Sequence, residues 1–282
     1  MIPQADYEYL QRFLKTKSGL ALSPDKQYLL ESRLNPIARE FGLKSVGELA
    51  QFLRRPGSEK AADKVVDAMT TNESLFFRDK HPFEAFTNRM LPTLLANRPS
   101  HQPIRIWCAA ASSGQEPYSL AMLLAENPAL SAGRRFEIIG TDISTEIIEK
   151  AKRGIYSQFE VQRGLSVHYL VRYFSKVGDD WQVSDKIRQA VSYRKLNLLD
   201  PFVGMGQFDI VFCRNVLIYF DNDQKIDVLN RIVKLMPSDG FLVLGGAESV
   251  IGLTDKFQPD TSRCLFRPQT TATAGNRLAA AR

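Results

Sequence analysis

The sequence predicts an α/β fold, a parallel sheet with crossover helices that follows an all-helical N-terminal region. Residues 1–70 show apolar positions at helical spacing and no convincing period-two strand. From about residue 103, short apolar runs alternate with amphipathic segments, as in strands joined by helices. Between residues 155 and 195 the alternation is interrupted by short aromatic and β-branched pieces, which indicate an inserted small antiparallel unit.

The N-terminal region contains clear helix signals. Ser23-Pro24-Asp25 predicts a helix start, because it combines a capping hydroxyl, a proline at the first helical position and an acid at the positive dipole end. An apolar stripe follows over residues 28–34. Pro36 is expected to end or kink this helix, because proline removes a hydrogen bond and crowds the preceding turn. Another short helix is predicted over 46–53, before the Pro56-Gly57 break.

The alternating region supplies the predicted sheet. Its strands are expected at 104–109, 136–141, 208–213 and 240–245, with helices near 116–126, 144–153 and 223–236. Cys264–Arg267 is predicted as the last, edge strand, and the inserted unit as Tyr169–Phe174, Trp181–Val183 and Ala190–Tyr193. The predicted division is a helical domain over 1–72, an α/β domain over 73–268 with the insertion at about 157–195, and a disordered Thr- and Ala-rich tail over 269–282.

Composition limits the function classes. The chain of 282 residues is 44% hydrophobic, but it contains no run of about 18 apolar residues and no export-type N-terminus. A cytoplasmic location without membrane insertion is therefore expected. The three cysteines are interpreted as buried hydrophobes in a reducing compartment. The three histidines lack ligand spacing, so no metal site is expected.

The net charge of +6 is concentrated in one region. Residues 150–195 hold ten Lys and Arg against four Asp and Glu, which equals the excess of the whole chain. Two interpretations stay open: a solvated face, or a surface that attracts an acidic partner, either protein or nucleic acid.

Polar residues follow the apolar strands where ligands of open α/β sheets bind. The turn over 109–114 has one glycine and lacks the Gly-x-Gly-x-x-Gly pattern, which disfavours a pyrophosphate.

Glu116 would repel a phosphate but suits a cationic ligand; by itself it is equally a first-turn acid that complements the helix dipole. Asp142 can accept hydrogen bonds from ribose hydroxyls, or cap the helix that begins at Ser144. Asn197 is the type of amide that binds an adenine edge. A nucleoside site with an acid and no phosphate loop points to S-adenosylmethionine.

Four motifs carry a family resemblance. They are Thr70-Thr-Asn-Glu-Ser-Leu-Phe-Phe-Arg78, Ala109-Ala-Ala-Ser-Ser-Gly-Gln-Glu-Pro-Tyr-Ser119, Gly140-Thr-Asp142 and Cys213-Arg-Asn-Val-Leu-Ile-Tyr-Phe220. With these motifs in the family's order, the chain resembles the CheR family of chemotaxis receptor methyltransferases from about residue 5 to 267. The resemblance implies a Rossmann-like class I S-adenosylmethionine-dependent methyltransferase domain with an inserted antiparallel β-subdomain, preceded by an all-helical domain that recognises the receptor.

The resemblance also implies an activity. The methyl group of S-adenosylmethionine would pass to glutamate side chains in the cytoplasmic domains of methyl-accepting chemoreceptors, which gives glutamyl methyl esters and S-adenosylhomocysteine. No metal is implied, no nucleic-acid partner is expected, and the protein is expected to be a monomer. Some family members grip a receptor C-terminal pentapeptide with the β-subdomain. Here the connection over 175–181 is short, so a version without this tether is predicted.

Residue roles follow from the motif match. Arg78, Arg214 and Tyr219 are the expected catalytic residues, with the tyrosine orienting the incoming carboxylate and the arginines steering it. Tyr219 could instead be a core aromatic, and Arg78 could pair with Asp79 or Glu84.

Arg33 and Arg39 match receptor-contacting positions. Ser74 stands where threonine is frequent in the family, and Gln115 replaces a frequent acid. The expected cofactor contacts are Asn72, Ser74, Arg78, Ala110, Glu116, Asp142, Asn197, Leu198, Arg214 and Asn215.

Two other functions compete. A methyltransferase that acts on RNA is suggested by the isoelectric point of about 9.2. Against it, the basic excess lies in the insertion, and the amide-proline-aromatic motif of many nucleic-acid amino methylases is absent after residue 214. A non-catalytic binding module is disfavoured because Arg78, Asp142, Asn215 and Tyr219 are all intact.

Overall fold

The computed structural model describes residues 2–23, 26–131, 133–261 and 264–269. Pro24 and Asp25 of the predicted helix start lie outside this part of the chain, and so does the predicted tail from residue 270 onward.

Four helices form the N-terminal region and enclose a core of their own. The second helix begins at Gln27 and continues through Pro36 to Glu40, so the expectation that it ends at this proline is wrong. Pro36 is exposed, whereas Leu34 and Ala38 on either side of it are buried, and this burial outweighs one lost hydrogen bond. The helices are α1 (Gln4–Ser18), α2 (Gln27–Glu40), α3 (Val46–Leu53) and α4 (Glu59–Met69).

The rest of the described chain is an α/β domain with an inserted unit. Its helices are α5 (His81–Ala85), which continues through a π-helical turn (Phe86–Met90) into α6 (Leu91–Asn97), then α7 (Gln115–Glu126), α8 (Pro128–Ser131), α9 (Thr145–Arg153), α10 (Gln158–Gln162), α11 (Val167–Tyr173), α12 (Asp185–Gln189) and α13 (Asn222–Val233). Its strands are β1 (Ile104–Cys108), β2 (Phe136–Asp142), β3 (Ile155–Tyr156), β4 (Phe174–Val177), β5 (Asp180–Val183), β6 (Val191–Lys195), β7 (Ile210–Cys213), β8 (Phe241–Leu244), β9 (Phe257–Pro259) and β10 (Leu265–Pro268).

Seven strands form the main sheet, in the order β6-β2-β1-β7-β8-β10-β9. The first five are parallel, which confirms the predicted parallel sheet, and β10 and β9 add an antiparallel end. The prediction that Cys264–Arg267 forms an edge strand is wrong, because β10 lies between β8 and β9. Both faces of the sheet are buried: Ile106 and Phe212 belong to one apolar core, Trp107 and Val211 to the other. This explains why the central strands are continuous apolar runs.

The inserted unit is smaller than predicted. β3, β5 and β4 form an antiparallel three-stranded sheet, which includes the predicted Trp181–Val183. The predicted strand piece Tyr169–Phe174 is mostly the helix α11. The piece Ala190–Tyr193 belongs to β6, which pairs in parallel with β2 of the main sheet. Short aromatic runs show that a segment is partly buried, but not which strand it pairs with.

Candidate cofactor and active site

A cleft that is partly open to solvent lies at the carboxyl ends of β1, β2 and β7. Ser18 and Leu20, at the end of α1, contribute to its wall, so the N-terminal helices close one side. All eleven cofactor-binding and catalytic residues expected from the sequence line this cleft: Asn72, Ser74, Arg78, Ala110, Glu116, Asp142, Asn197, Leu198, Arg214, Asn215 and Tyr219. Arg33 and Arg39 are not among the lining residues.

The turn after β1 forms part of the cleft wall, and its conformation is fixed by close packing and by a hydrogen bond. Gly114 has φ of 95°, and a Cβ there would lie 2.6 Å from the Tyr193 hydroxyl, so a side chain does not fit. Ser112 also has a positive φ, of 49°. Its hydroxyl donates a 2.8 Å hydrogen bond to the carbonyl of Asn72, which joins this turn to the segment before Arg78.

One end of the cleft, the Asp142 end, is built from backbone donors. The buried Asp142 carboxylate accepts hydrogen bonds from the N–H groups of Ser112, at 2.9 Å, and Ser144, at 3.1 Å. The helix cap is Ser144, whose hydroxyl accepts from Ile147 N–H, so the capping alternative for Asp142 is wrong. Burial raises the pKa of the Asp142 carboxyl, and the backbone donors oppose this effect. The bond from Ser112 goes to one carboxylate oxygen and the bond from Ser144 to the other, so acceptor positions remain for ligand hydroxyls.

The other end, the Arg214 end, is built from ion pairs. The Arg214 guanidinium, only 3% exposed, lies 2.7 Å from Glu116 and 2.7 Å from Asp79. It also donates to the carbonyl of Arg78 at 2.9 Å. Burial by itself lowers the pKa of Arg214, but the neighbouring Glu116 and Asp79 outweigh it, and the net pKa is raised. Arg214 therefore has two carboxylate partners, of which Glu116 lines the cleft, where an acid favours a cationic ligand.

Arg78 lies on a strained turn beside these ion pairs. Phe77, Asp79 and Lys80 have positive φ values of 50°, 68° and 45°, which cost energy in residues with a side chain. The Arg78 guanidinium donates to the carbonyl of Glu73 at 3.4 Å. The alternative that Arg78 pairs with Asp79 does not hold, because Asp79 pairs with Arg214. Sequence reasoning missed the role of Asp79, because no local pattern shows a partner 135 residues away.

Two neighbouring parts of the chain complete the wall. Tyr219 lies in a short 3-10 turn, half-buried, and its carbonyl accepts from Ala21 N–H at 3.0 Å. The Asn197 amide donates to the carbonyl of Lys17 at 2.7 Å and accepts from Leu199 N–H at 3.0 Å. Each polar atom of this amide already has one protein partner, so an adenine edge would use its remaining hydrogen or lone pair.

The two arginines of α2 differ. Arg33 is half-buried and donates to the carbonyls of Met69, at 3.1 Å, and Thr70, at 3.2 Å, which ties α2 to the end of α4. Met69 and Thr70 line the cleft. Arg39 is exposed. Arg33 therefore supports the cleft wall from behind, and of the two only Arg39 presents its charge fully to solvent.

The comparison with known families identifies the fold. The model "CheR methyltransferase, SAM binding domain" matches residues 72–265. The model "CheR methyltransferase, all-alpha domain" matches residues 5–70. The chain belongs to the CheR methyltransferase family.

Curated relatives agree with this assignment. The chain is 45% identical to chemotaxis protein methyltransferase 1 of Pseudomonas aeruginosa, over 90% of this chain and 93% of that protein. It is 43% identical to chemotaxis protein methyltransferase Cher2 of Pseudomonas putida, over the same shares of both chains. With the methyltransferase of Vibrio parahaemolyticus it shares 41% identity over 91% of this chain and 94% of the relative.

The cleft of this CheR-family chain fits S-adenosylmethionine. Its Asp142 end offers carboxylate acceptors for ligand hydroxyls, and Glu116 at the Arg214 end supplies an acid for a cation, in agreement with the SAM-binding family model. Among the described residues, no group of three or more His, Cys, Asp or Glu side chains could hold a metal ion. Within the same residues, every helix is too short or too polar to span a bilayer.

Proposed function

We propose that this CheR methyltransferase transfers the methyl group of S-adenosylmethionine to glutamate carboxylates in the cytoplasmic domains of methyl-accepting chemoreceptors. The products are glutamyl methyl esters and S-adenosylhomocysteine. The observation that supports this most directly is the cleft itself, which combines hydroxyl acceptors at the Asp142 end, the acid Glu116 at the Arg214 end and Tyr219 in the same lining.

The reaction needs positioning more than acid–base chemistry. A glutamate carboxylate is ionised at neutral pH, so no general base is required. S-adenosylmethionine supplies an electrophilic methyl group: a carboxylate oxygen forms the new bond to carbon while the electron pair of the breaking bond goes to sulfur. Alignment of the two reactants can contribute up to about 7–11 kcal/mol.

The residues divide this task. Arg214 is already compensated by Glu116 and Asp79, so it holds the cleft wall and does not clamp the incoming carboxylate. This suits the chemistry, because a bidentate clamp would stabilise the nucleophile in its ground state. We assign the orienting contact to the Tyr219 hydroxyl and the attraction of carboxylates to Arg78.

The domains are proposed to divide recognition from chemistry. Residues 1–72 recognise the receptor, residues 73–268 carry out methyl transfer, and the protein acts as a cytoplasmic monomer without nucleic acid. The insertion, expected over about 157–195, carries the β4–β5 hairpin, which closes through only Gly178 and Asp179. So short a turn leaves little edge for an added peptide strand, which favours receptor recognition without a pentapeptide tether.

Methyl transfer tests this function directly. Radiolabelled S-adenosylmethionine is incubated with receptor cytoplasmic fragments, with the same fragments carrying Gln at each Glu as a control. Label released by mild base and absent from the control is the expected result for an ester. Transfer to RNA with steep salt dependence would favour the RNA alternative, and label on the fragments that resists base would contradict ester formation. Cofactor binding without transfer to any fragment would favour a non-catalytic module.

The tether is tested separately by calorimetric titration with receptor C-terminal pentapeptides. We expect no saturable binding. A micromolar complex would show that the insertion does anchor the receptor, and it would leave the methyl-transfer proposal untouched.

A further inference from the structure

A buried carboxylate lies behind the cleft and does not line it. Glu248 follows β8 and is 8% exposed. Its Oε2 accepts hydrogen bonds from the N–H groups of Asn215 and Gly245, both at 2.7 Å. Its Oε1 accepts from Val216, at 2.9 Å, and from Ile218, at 3.3 Å. Four backbone donors from two loops therefore converge on one side chain.

The loop that Glu248 binds has an irregular backbone. Asn215, two residues beyond the end of β7, has φ of 57°, in the left-handed region that asparagine adopts more readily than most residues with a side chain. The neighbouring loop packs closely: a Cβ on Gly245 would lie 2.8 Å from both the Asn215 amide and the Glu248 carboxylate. The Glu248 carboxylate compensates the backbone groups that this turn leaves without strand partners.

The same loop carries two residues of the cleft. Asn215 and Tyr219 line it, whereas Glu248 does not. Arg214, one residue before the loop, is fixed independently by Glu116 and Asp79. Loss of the Glu248 carboxylate would therefore move Asn215 and Tyr219 while Arg214 keeps its partners.

We propose that Glu248 is a positioning residue for methyl transfer. Its carboxylate fixes the backbone of residues 215–218, so that Asn215 faces the cofactor and Tyr219 faces the incoming carboxylate. This inference rests on the proposed roles of those two residues, and it adds a residue that touches neither reactant.

The test uses Glu248→Gln in the full chain. Glutamine keeps the volume, but its NH₂ group replaces one acceptor oxygen and faces N–H donors. We expect kcat to fall by about tenfold or more and affinity for S-adenosylhomocysteine to fall several-fold, with KM for the receptor fragment within about twofold of wild type.

Asp209→Asn is the matched control for general destabilisation. Asp209 is equally buried and accepts hydrogen bonds from the Arg105 N–H and from Arg98, each at 2.9 Å, at the opposite end of β7. Both variants are assayed well below their unfolding temperatures. We expect kcat of the control to stay within about twofold of wild type. If Glu248→Gln lowers kcat no more than Asp209→Asn does, the proposal is overturned.

A double-variant cycle with Tyr219→Phe tests the route of the effect. If Glu248 acts by positioning Tyr219, Glu248→Gln should lower kcat by a much smaller factor in the Tyr219→Phe enzyme than in the wild-type enzyme. Two substantial effects on kcat that simply multiply would overturn the proposal. A Tyr219→Phe enzyme with wild-type kcat would instead remove the proposed role of the tyrosine; Glu248 is then judged against Asp209→Asn on kcat and S-adenosylhomocysteine affinity.

Discussion

The Asp142 end and the Arg214 end of the cleft are both acidic, but they are constructed differently. Asp142 is held by backbone N–H groups, and the charge of its carboxylate meets no cation in the contacts described above. Glu116 shares a buried arginine with Asp79. The first end is open to hydroxyl donors, whereas the acid of the second end, Glu116, is held by an ion pair that also fixes the cleft wall. The two acids thus differ in what holds them: backbone N–H groups in one case and a buried arginine in the other.

The largest difference between the two ends is expected in stability, from the substitution Arg214→Met. It leaves Glu116 buried without its cation, which we expect to lower the free energy of unfolding by about 3–5 kcal/mol. Urea denaturation measures the change. Arg78→Met is the control, since its guanidinium is partly exposed, and it should change stability by about 1 kcal/mol or less. Equal losses in the two variants would show that the Arg214 end is not a structural unit.

At the Asp142 end the effect should fall on binding. Asp142→Ala is expected to weaken binding of S-adenosylmethionine and S-adenosylhomocysteine by about 1–3 kcal/mol each, because ribose hydroxyls lose their acceptor. Calorimetry measures both affinities, with Asp239→Ala, far from the cleft, as the control. Unchanged affinity for both ligands would remove Asp142 from the site.

The raised pKa of Asp142 gives a pH dependence with a definite sign. Hydroxyl donors favour the ionised carboxylate, so the ligand binds the deprotonated form better and lowers this pKa. Affinity for S-adenosylhomocysteine should therefore fall as pH decreases through the Asp142 pKa, which lies above its ordinary value of 3.8. The Asp67 charge contributes to the raised pKa, so Asp67→Asn should move the midpoint to lower pH. A wild-type profile identical to that of Asp142→Ala would contradict this assignment.

A smaller effect is expected where substrate and cofactor meet. Tyr219→Phe should lower kcat by about 5- to 30-fold, because it removes one hydrogen bond to the incoming carboxylate. Affinity for S-adenosylhomocysteine should stay within about twofold of wild type. Steady-state kinetics and calorimetry separate the two. Equal kcat in both proteins would assign Tyr219 to the core.

The smallest effect lies outside the cleft, on α2. Arg39→Glu should raise KM for receptor fragments by about 2- to 5-fold at low salt, as for an exposed charge, and the effect should shrink at high salt. Arg33→Glu should raise KM as well, but it should also lower the unfolding temperature, because Arg33 binds the carbonyls of Met69 and Thr70. Receptor kinetics at low salt that neither reversal changes would exclude this surface from recognition.

The position of the site could be predicted from the sequence alone. Apolar runs that end in Asp142 and Arg214 mark buried parallel strands, and the carboxyl ends of such strands meet at one edge of a sheet. The lining of the cleft follows from this rule together with the family motifs. Glu248 had a comparable signal, an acid shortly after the apolar strand over 240–245, but nothing local showed that its carboxylate would bind backbone groups.

Which groups pair with each other could be seen only in the folded chain. The Asp79–Arg214 contact, the parallel pairing of Val191–Lys195 with β2 and the passage of α2 through Pro36 each depend on residues far away in the chain. The spacing of apolar residues predicts which side of a segment is buried, because each residue's own hydrophobicity favours or disfavours burial. Ion-pair and strand partners depend on how distant segments pack together. The local sequence around each residue therefore does not identify its partner.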